Sequence, residues 1–386
     1  MNRNRQNYQC DVLLLNDGTD LPNAAIPASN VEQIHRVQDG NFSMNITRED
    51  VNQWGQQGRI GTVVVSSPEV TADFTYLMSN MKNEVALGFN LSDDFTESFT
   101  KNLLSADVGN PIAAAVKSGR NFYMLTCPEG NDANIGGFPV DAEVLAISIS
   151  KAYLTDYSFE ASVGSIPTTS FSIKASNQCS QRLTVPTGQL LEVKAGFADE
   201  TGMSTELTTI DVSSASPTLT PFTGASATLP SALRPGDIVI DLDESSVHTT
   251  LSDGANGTGA HIQSFSLNIP LSRTPLERLG NNFAFAEEVD FPIQITVNVS
   301  AIVADLKDGC VYDLICSPGS KDLSITFKAP CNGPSIAQYL IKGVELESES
   351  FSQSIGSNKT VDLTFTAQIG GPKDLNAGVF VSGQTA

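Results

Sequence analysis

The strongest constraint on the fold is a pattern that occurs twice. Residues 37–76 contain Phe42-Ser43-Met44-Asn45-Ile46, then Arg48, Val51 and Trp54-Gly55. Residues 262–299 contain Phe265-Ser266-Leu267-Asn268-Ile269, then Arg273, Leu276 and Leu279-Gly280 at the same internal spacing. After each glycine comes a proline, Pro68 or Pro292, and then an alternating run, 70–74 or 295–299. Strict apolar/polar alternation marks an extended strand with one face on a core. The unit reads as strand, short helical turn ending in glycine, strand. On that reading Val51 with Leu276, and Trp54 with Leu279, are equivalent pairs in two cores.

Further landmarks recur in the same order. Residues 11–14 answer 237–240, and 122–125 ahead of Pro128 and Gly130 answer 323–327 ahead of Pro330 and Gly333. Tyr153-Leu154 opens a strand through Glu160, and Tyr339-Leu340 opens one through Glu347. Ordered recurrence of this kind is the signature of a duplicated domain. The expected division is an N-terminal arm (1–10), a first β module (11–175), a connector or excursion (176–236), a second β module (237–369) and a C-terminal tail (370–386). Within the first module, 80–120 is expected to be helical, with Phe95, Phe99, Leu103 and Leu104 at helical spacing and Pro111 opening 112–117. The second-half counterpart, 310–315, is much shorter. Strands are expected at 121–126 and 144–149, and a hairpin at 154–162 and 169–175, answered by 340–349 and 360–368. The Ser/Thr/Pro-rich connector is expected to hold short strands at 190–193 and 207–210.

Charge excludes some functions. With 22 Lys and Arg against 43 Asp and Glu, the 386-residue chain has a formal net charge of −21. Gripping phosphates requires cations, so a nucleic-acid-binding groove is disfavoured. The six cysteines (10, 127, 179, 310, 316 and 331) form no C-x-x-C pair and read as free thiols of a reducing compartment; only Cys310 and Cys316 are close enough in sequence for a bridge. Residues 1–10 lack the apolar segment of a signal peptide, and no stretch is long and apolar enough for a membrane span. The histidines at 35, 248 and 261 are not at metal-ligand spacing. The acidic segments 241–244 and 252–257 lack the full ligand series of a calcium loop. No phosphate-binding loop, dinucleotide fingerprint or nucleophile elbow is present. The expectation is a protein that is not an enzyme and uses no cofactor or metal.

Asn121-Phe122-Tyr123-Met124, a Pro-Glu-Gly loop, and the run from Tyr153 into Val163-Gly164-Ser165-Ile166-Pro167-Thr168-Thr169 resemble the major tail (tail tube) proteins of tailed bacteriophages. Arg273 to Gly280, followed by Asp290-Phe291-Pro292 and an alternating strand, is similar in kind. The resemblance covers about 37–176 and 237–369. It implies a mainly β fold of two tandem tail-tube-type sandwich or barrel modules with short flanking helices. It further implies rings of six modules, hence homotrimers with pseudo-sixfold symmetry, stacked into a tube in the virion tail. Assembly in the host bacterial cytoplasm is implied too. The implied partners are further copies of the chain, tape-measure and terminator proteins, and double-stranded DNA that passes without specific binding; no membrane is involved.

Long alternating strands with no catalytic kit lead to the same reading, because exposed strand edges invite pairing by neighbours. Another tail or baseplate tube protein, a receptor-binding virion protein, or a carbohydrate-binding adhesin of two sandwiches are the alternatives. A DNA conduit is best lined by acids and hydroxyls, and Asp156, Glu160, Glu345, Glu347 and Glu349 are the expected channel-facing residues. Leu154, Phe159, Val344 and Leu346 are expected on the opposite face.

Overall fold

The computed structural model describes residues 11–17, 31–91, 103, 119–196, 198–199, 202–203, 207–213, 232–242, 261–303, 321–331, 333–369 and 374–383. The fold is mainly β. The first run of strands is β1 (Asp11–Asp17), β2 (Val31–Ile34), β3 (Val37–Asn45), β4 (Arg48–Val51), β5 (Gly61–Val64), β6 (Glu69–Leu77), β7 (Arg120–Thr126), β8 (Glu143–Ser162) and β9 (Thr168–Ala175). Between the runs lie β10 (Asn177–Thr184), β11 (Leu190–Lys194), β12 (Ala198–Asp199), β13 (Gly202–Met203) and β14 (Leu207–Asp211). The second run is β15 (Ile238–Leu242), β16 (His261–Pro270), β17 (Arg273–Leu276), β18 (Ala286–Val289), β19 (Ile293–Ile302), β20 (Lys321–Lys328), β21 (Ser335–Ser352), β22 (Thr360–Ile369) and β23 (Gly378–Gly383). Two short α-helices, α1 (Lys82–Leu87) and α2 (Ala133–Gly136), and a 3-10 turn at Pro235–Asp237 are described.

Antiparallel pairing follows one order twice: β1-β7-β8-β9-β6-β3 in the first run and β15-β20-β21-β22-β19-β16 in the second. The irregularities recur as well. A bulge between Val37 and Asp39 in β3 matches one between Ile262 and Ser264 in β16, and a bulge between Leu154 and Asp156 in β8 matches one between Leu346 and Ser348 in β21. Lys151 (φ 49°) matches Gly343 (φ 75°). These matches equate β3 with β16 at a separation of 225 residues, and β8 with β21 at a separation of 192. Phe42 therefore corresponds to Leu267 rather than Phe265, and Tyr339 to Ile147 rather than Tyr153. Aromatic landmarks are a poor guide to register here, because in a strand any position of the right parity accepts a large apolar side chain.

The two strands expected at 144–149 and 154–162 are one strand of 20 residues, β8. Its first part pairs with β7 and β10, and its second with β9 and β16. The positive φ at Lys151 and the bulge after Leu154 break the alternation without ending the strand, since a bulge bends a strand and lets it pass between layers. Strand β21 makes the same passage, pairing first with β20 and β23 and then with β22.

The resulting layers enclose a core common to both runs. Phe74 stacks near Phe122 and Phe171 at 6.4 and 5.3 Å, and Phe159 lies 5.2 Å from Phe327 and 6.0 Å from Tyr339. Residues of β6, β8 and β9 thus belong to one apolar cluster with β19, β20, β21 and β22. The connector is not a linker. Strands β11 and β14 pair with each other, and Leu191, Val193, Ile210 and Val212 cover Leu14, Tyr123, Leu125 and Val144 on the other side of β1, β7 and β8. Tyr123 and Thr208 hydroxyls close this contact at 2.6 Å.

Of the expected helical region 80–120, the helix described is α1, which ends at Gly88 in a left-handed conformation (φ 94°). Leu103 is buried; Phe95, Phe99, Leu104, Pro111 and 112–117 lie outside the described residues, as do 1–10, 310–315, Cys10, Cys310 and Cys316. Cys179 and Cys331 carry thiols outside any disulfide, and Cys127 is buried.

The expected helical turns after β3 and β16 are β-hairpins, β4–β5 and β17–β18. The run Thr62-Val63-Val64-Val65 favours extended backbone, and pairing it with 48–51 outweighs the three-residue spacing that reads as helix. Gly55 (φ 87°) and Gly280 (φ 95°) occupy equivalent positions in the two tips. Trp54 and Leu279, also equivalent, are 99% and 103% exposed, and Val51 and Leu276 are exposed too. None of the four is core. Trp54→Ala should change the unfolding free energy by less than about 0.5 kcal/mol in denaturant titration; a loss near 3 kcal/mol, the cost of emptying a core site, would contradict this placement.

Candidate assembly surface

Eight strand segments make one layer in the order β3, β6, β9, second half of β8, β16, β19, β22, second half of β21. Residues paired across an antiparallel ladder point to the same side. On the core side stand Ala72, Ile173, Tyr157, Ile269, Val297 and Phe365, all buried. The other side is polar and continuous. Ser43 and Thr71 hydroxyls meet at 2.8 Å, Thr75 and Ser170 at 2.9 Å, and Ser172 donates to Asp73 at 2.6 Å. Further along, Asn298 donates to Ser266 at 3.3 Å and Thr364 to Asn298 at 3.1 Å. Asp39, Glu69, Asp73, Asp156, Glu160, Asp362 and Glu345 share this face. Lys174, 3.5 Å from Glu69, is the basic residue at these paired positions among the described residues.

The expected acidic set is thereby divided. Asp156 and Glu160 pair with Ser172 and Thr168, and Glu345 with Thr366, all on the polar side. Glu347 occupies the bulge between Leu346 and Ser348, and this extra residue reverses the alternation. Glu349 consequently pairs with buried Leu363 and lies on the core side of the ladder. Simple alternation from Glu345 misses this, because a bulge has no residue signature in Glu345-Leu346-Glu347-Ser348.

Crowded acids repel. Burial raises the Asp156 carboxyl from 3.8 to about 6, and the charge of Asp73 adds to the rise. Asp156 should titrate near pH 6 by carbonyl-carbon NMR, and Asp73→Asn should move its midpoint down. An unchanged midpoint would show that Asp73 does not act on it.

A second polar group lies in the core. Tyr76 donates to Glu84 Oε1 at 2.6 Å and Tyr157 donates to the same oxygen at 3.1 Å, while the Tyr157 and Tyr339 hydroxyls meet at 2.7 Å. Burial raises the Glu84 pKa against the lowering effect of these donors. The cluster ties β6, α1 and β8 to β21. Among the described residues no group of His, Cys, Asp and Glu could hold a metal, and no helix is long and apolar enough to cross a membrane.

The class defined is a mainly β protein with a broad polar sheet face. No family description matches the chain, and no curated protein sequence matches it. Among solved structures it is similar to a chain of the sheath–tube complex of an extracellular contractile injection system (PVC, extended state), at 11% identity and a TM-score of 0.29 over 43% of this chain and 100% of that one. It is also similar to the tube-terminating cap of the anti-feeding prophage, at 10% identity and a TM-score of 0.27 over 42% of this chain and 99% of that one. Likenesses this slight carry no functional weight.

Proposed function

We propose that this chain is a structural subunit of a tail-tube-like particle, polymerising with itself into rings that stack around an acidic bore. The observation that carries the reading is the polar layer, which joins both runs into one sheet and offers acids, hydroxyls and amides with Lys174 as its basic residue. A polyanion passing such a face finds little to neutralise its phosphates and stays hydrated. Two topologically alike runs per chain fit three chains per ring with pseudo-sixfold symmetry. DNA ejection, a place in a virion tail, assembly in the bacterial cytoplasm, and contact with tape-measure and terminator proteins belong to this proposal. So does the absence of enzymatic activity.

Sedimentation tests the reading. The expected result is a species at a multiple of the 40.9 kDa chain mass that shows as rings or tubes in negative stain; a monomer at all concentrations would refute it. The exposure of Trp54 favours a second reading, a carbohydrate-binding adhesin, because solvent-facing aromatics stack on sugars. Its equivalent position carries Leu279, which suits protein contact better than sugar stacking. Glycan binding abolished by Trp54→Ala would favour the adhesin.

A further inference from the structure

The two hairpin arms, β4–β5 and β17–β18, pair in the same register, Arg48 with Val64 and Arg273 with Val289, at a separation of 225 residues. Their attachment to the layer differs. The bulge after Leu154 interrupts the β8 ladder, and backbone carbonyls at an interruption need other partners. Leu271 donates its N–H to the Thr155 carbonyl at 2.8 Å, and Arg273 Nε donates to the Leu154 carbonyl at 3.1 Å. The same guanidinium donates through Nη1 to the Glu287 carbonyl at 3.4 Å and lies 4.8 Å from the centre of the Tyr153 ring. One side chain thus joins β17, β18 and β8. Beside it Val289 packs against the common core. Burial raises the Glu287 carboxyl against the lowering charges of Lys174, Arg273 and Lys151, so β18 lies close to the first run.

In the first arm Ile46, Arg48 and Val64 stand where Leu271, Arg273 and Val289 stand in the second. Leu271 is buried and Ile46 half-buried, Arg48 is exposed, and Val64 is 48% exposed. Among the described residues, the hydrogen bonds of 48–64 beyond its ladder run within the arm: Ile60 N–H to the Val51 carbonyl at 2.8 Å, Gln53 to Gln56 at 3.1 Å and Arg59 to Asp50 at 3.0 Å. A hairpin with few buried apolar contacts and only its own hydrogen bonds belongs to the mobile end of a structure. We propose that Arg273 is the pin that fixes the β17–β18 arm to the layer, and that β4–β5, its unpinned equivalent, is a hinged arm that swings on residues 46–47 and 65–68. The hinged arm carries Val51, Trp54, Ile60 and Val63, all exposed. The chain therefore presents one apolar tip at a fixed place, Leu279, and one, Trp54, that adjusts to the surface it meets. This assignment goes beyond the self-assembly reading and does not depend on it.

Trp54 is the single tryptophan of the chain, so time-resolved fluorescence anisotropy of the dilute full-length protein reads its arm directly. Trp54→Phe combined with Leu279→Trp moves the probe to the other tip. The expected result is a nanosecond depolarisation about twofold larger in amplitude at 54 than at 279. Arg273→Gln should raise the amplitude at 279 to the level at 54, whereas Arg48→Gln should leave the amplitude at 54 unchanged. Equal amplitudes at the two tips with both arginines in place would overturn the asymmetry, whatever the arginine variants do. An amplitude at 279 that Arg273→Gln leaves unchanged would show that Arg273 is not the pin. If Arg273→Gln does not fold, Arg273→Lys takes its place with the same expected direction, because lysine keeps the charge but loses the planar fork that spans two carbonyls.

Discussion

Phe159→Ala should lower the unfolding free energy of the dilute chain by about 3–5 kcal/mol, the usual cost of emptying a fully buried aromatic site. The ring is fully buried, with ring centroids of Phe265, Phe327 and Tyr339 at 6.0, 5.2 and 6.0 Å. Those neighbours all come from the second run, although Phe159 belongs to the first. The change should therefore act on both runs together, and denaturant unfolding of the parent and the variant should each show one transition. Two transitions, with only the first displaced, would mean that the runs have separate cores.

Acidification should expose a second large effect. His35 is buried beside α1; its backbone N–H donates to Asn83 Oδ1 at 2.9 Å, and the Asn83 amide donates back to its carbonyl at 3.0 Å. Burial, reinforced by the charges of Lys82 and Arg36, lowers its pKa from 6.5 to about 4. Folding thus favours the neutral ring. That stabilisation is complete above pH 6.5 and is lost as pH falls through about 4, a loss of roughly 3 kcal/mol. Glu84 acts in the opposite sense: with its pKa raised by burial, it favours folding below its free value of 4.5, and this contribution fades as pH rises. His35→Gln isolates the histidine. Between pH 7.5 and pH 4 the variant should lose about 3 kcal/mol less than the parent, and parallel stability profiles would rule out a buried neutral His35.

The strand content was open to sequence reading because a half-buried strand writes its own alternation. Runs such as Val70-Thr71-Ala72-Asp73-Phe74 and Thr169 to Ala175 alternate without a break, and they are β6 and β9. Strands 190–193 and 207–210 were equally legible, but their docking on β1, β7 and β8 was not, since nothing local encodes which apolar face meets which. The hairpins at 48–64 and 273–289 were hidden by a three-residue spacing that imitates a helix turn. Their tip residues Trp54 and Leu279 face solvent, where hydrophobicity is no guide to burial. The acidic face was half legible. Asp156 and Glu160 follow from alternation, whereas Glu349 was misplaced because the bulge after Leu346 depends on a match with β22 and with the passage of β21 between layers. That β3 and the second half of β21 stand at the two ends of the described layer is a property of topology and leaves no mark in either strand's residues.

The most direct test is a reconstruction of the purified assemblies viewed down their axis. Closed rings are expected, in which the eight-segment layer of each copy turns its polar side to the bore. Asp156, Glu160 and Glu345 should point inward, and acids should outnumber Lys and Arg along the wall. A bore lined by another surface, or one in which basic residues outnumber these carboxylates, would contradict the proposed tube.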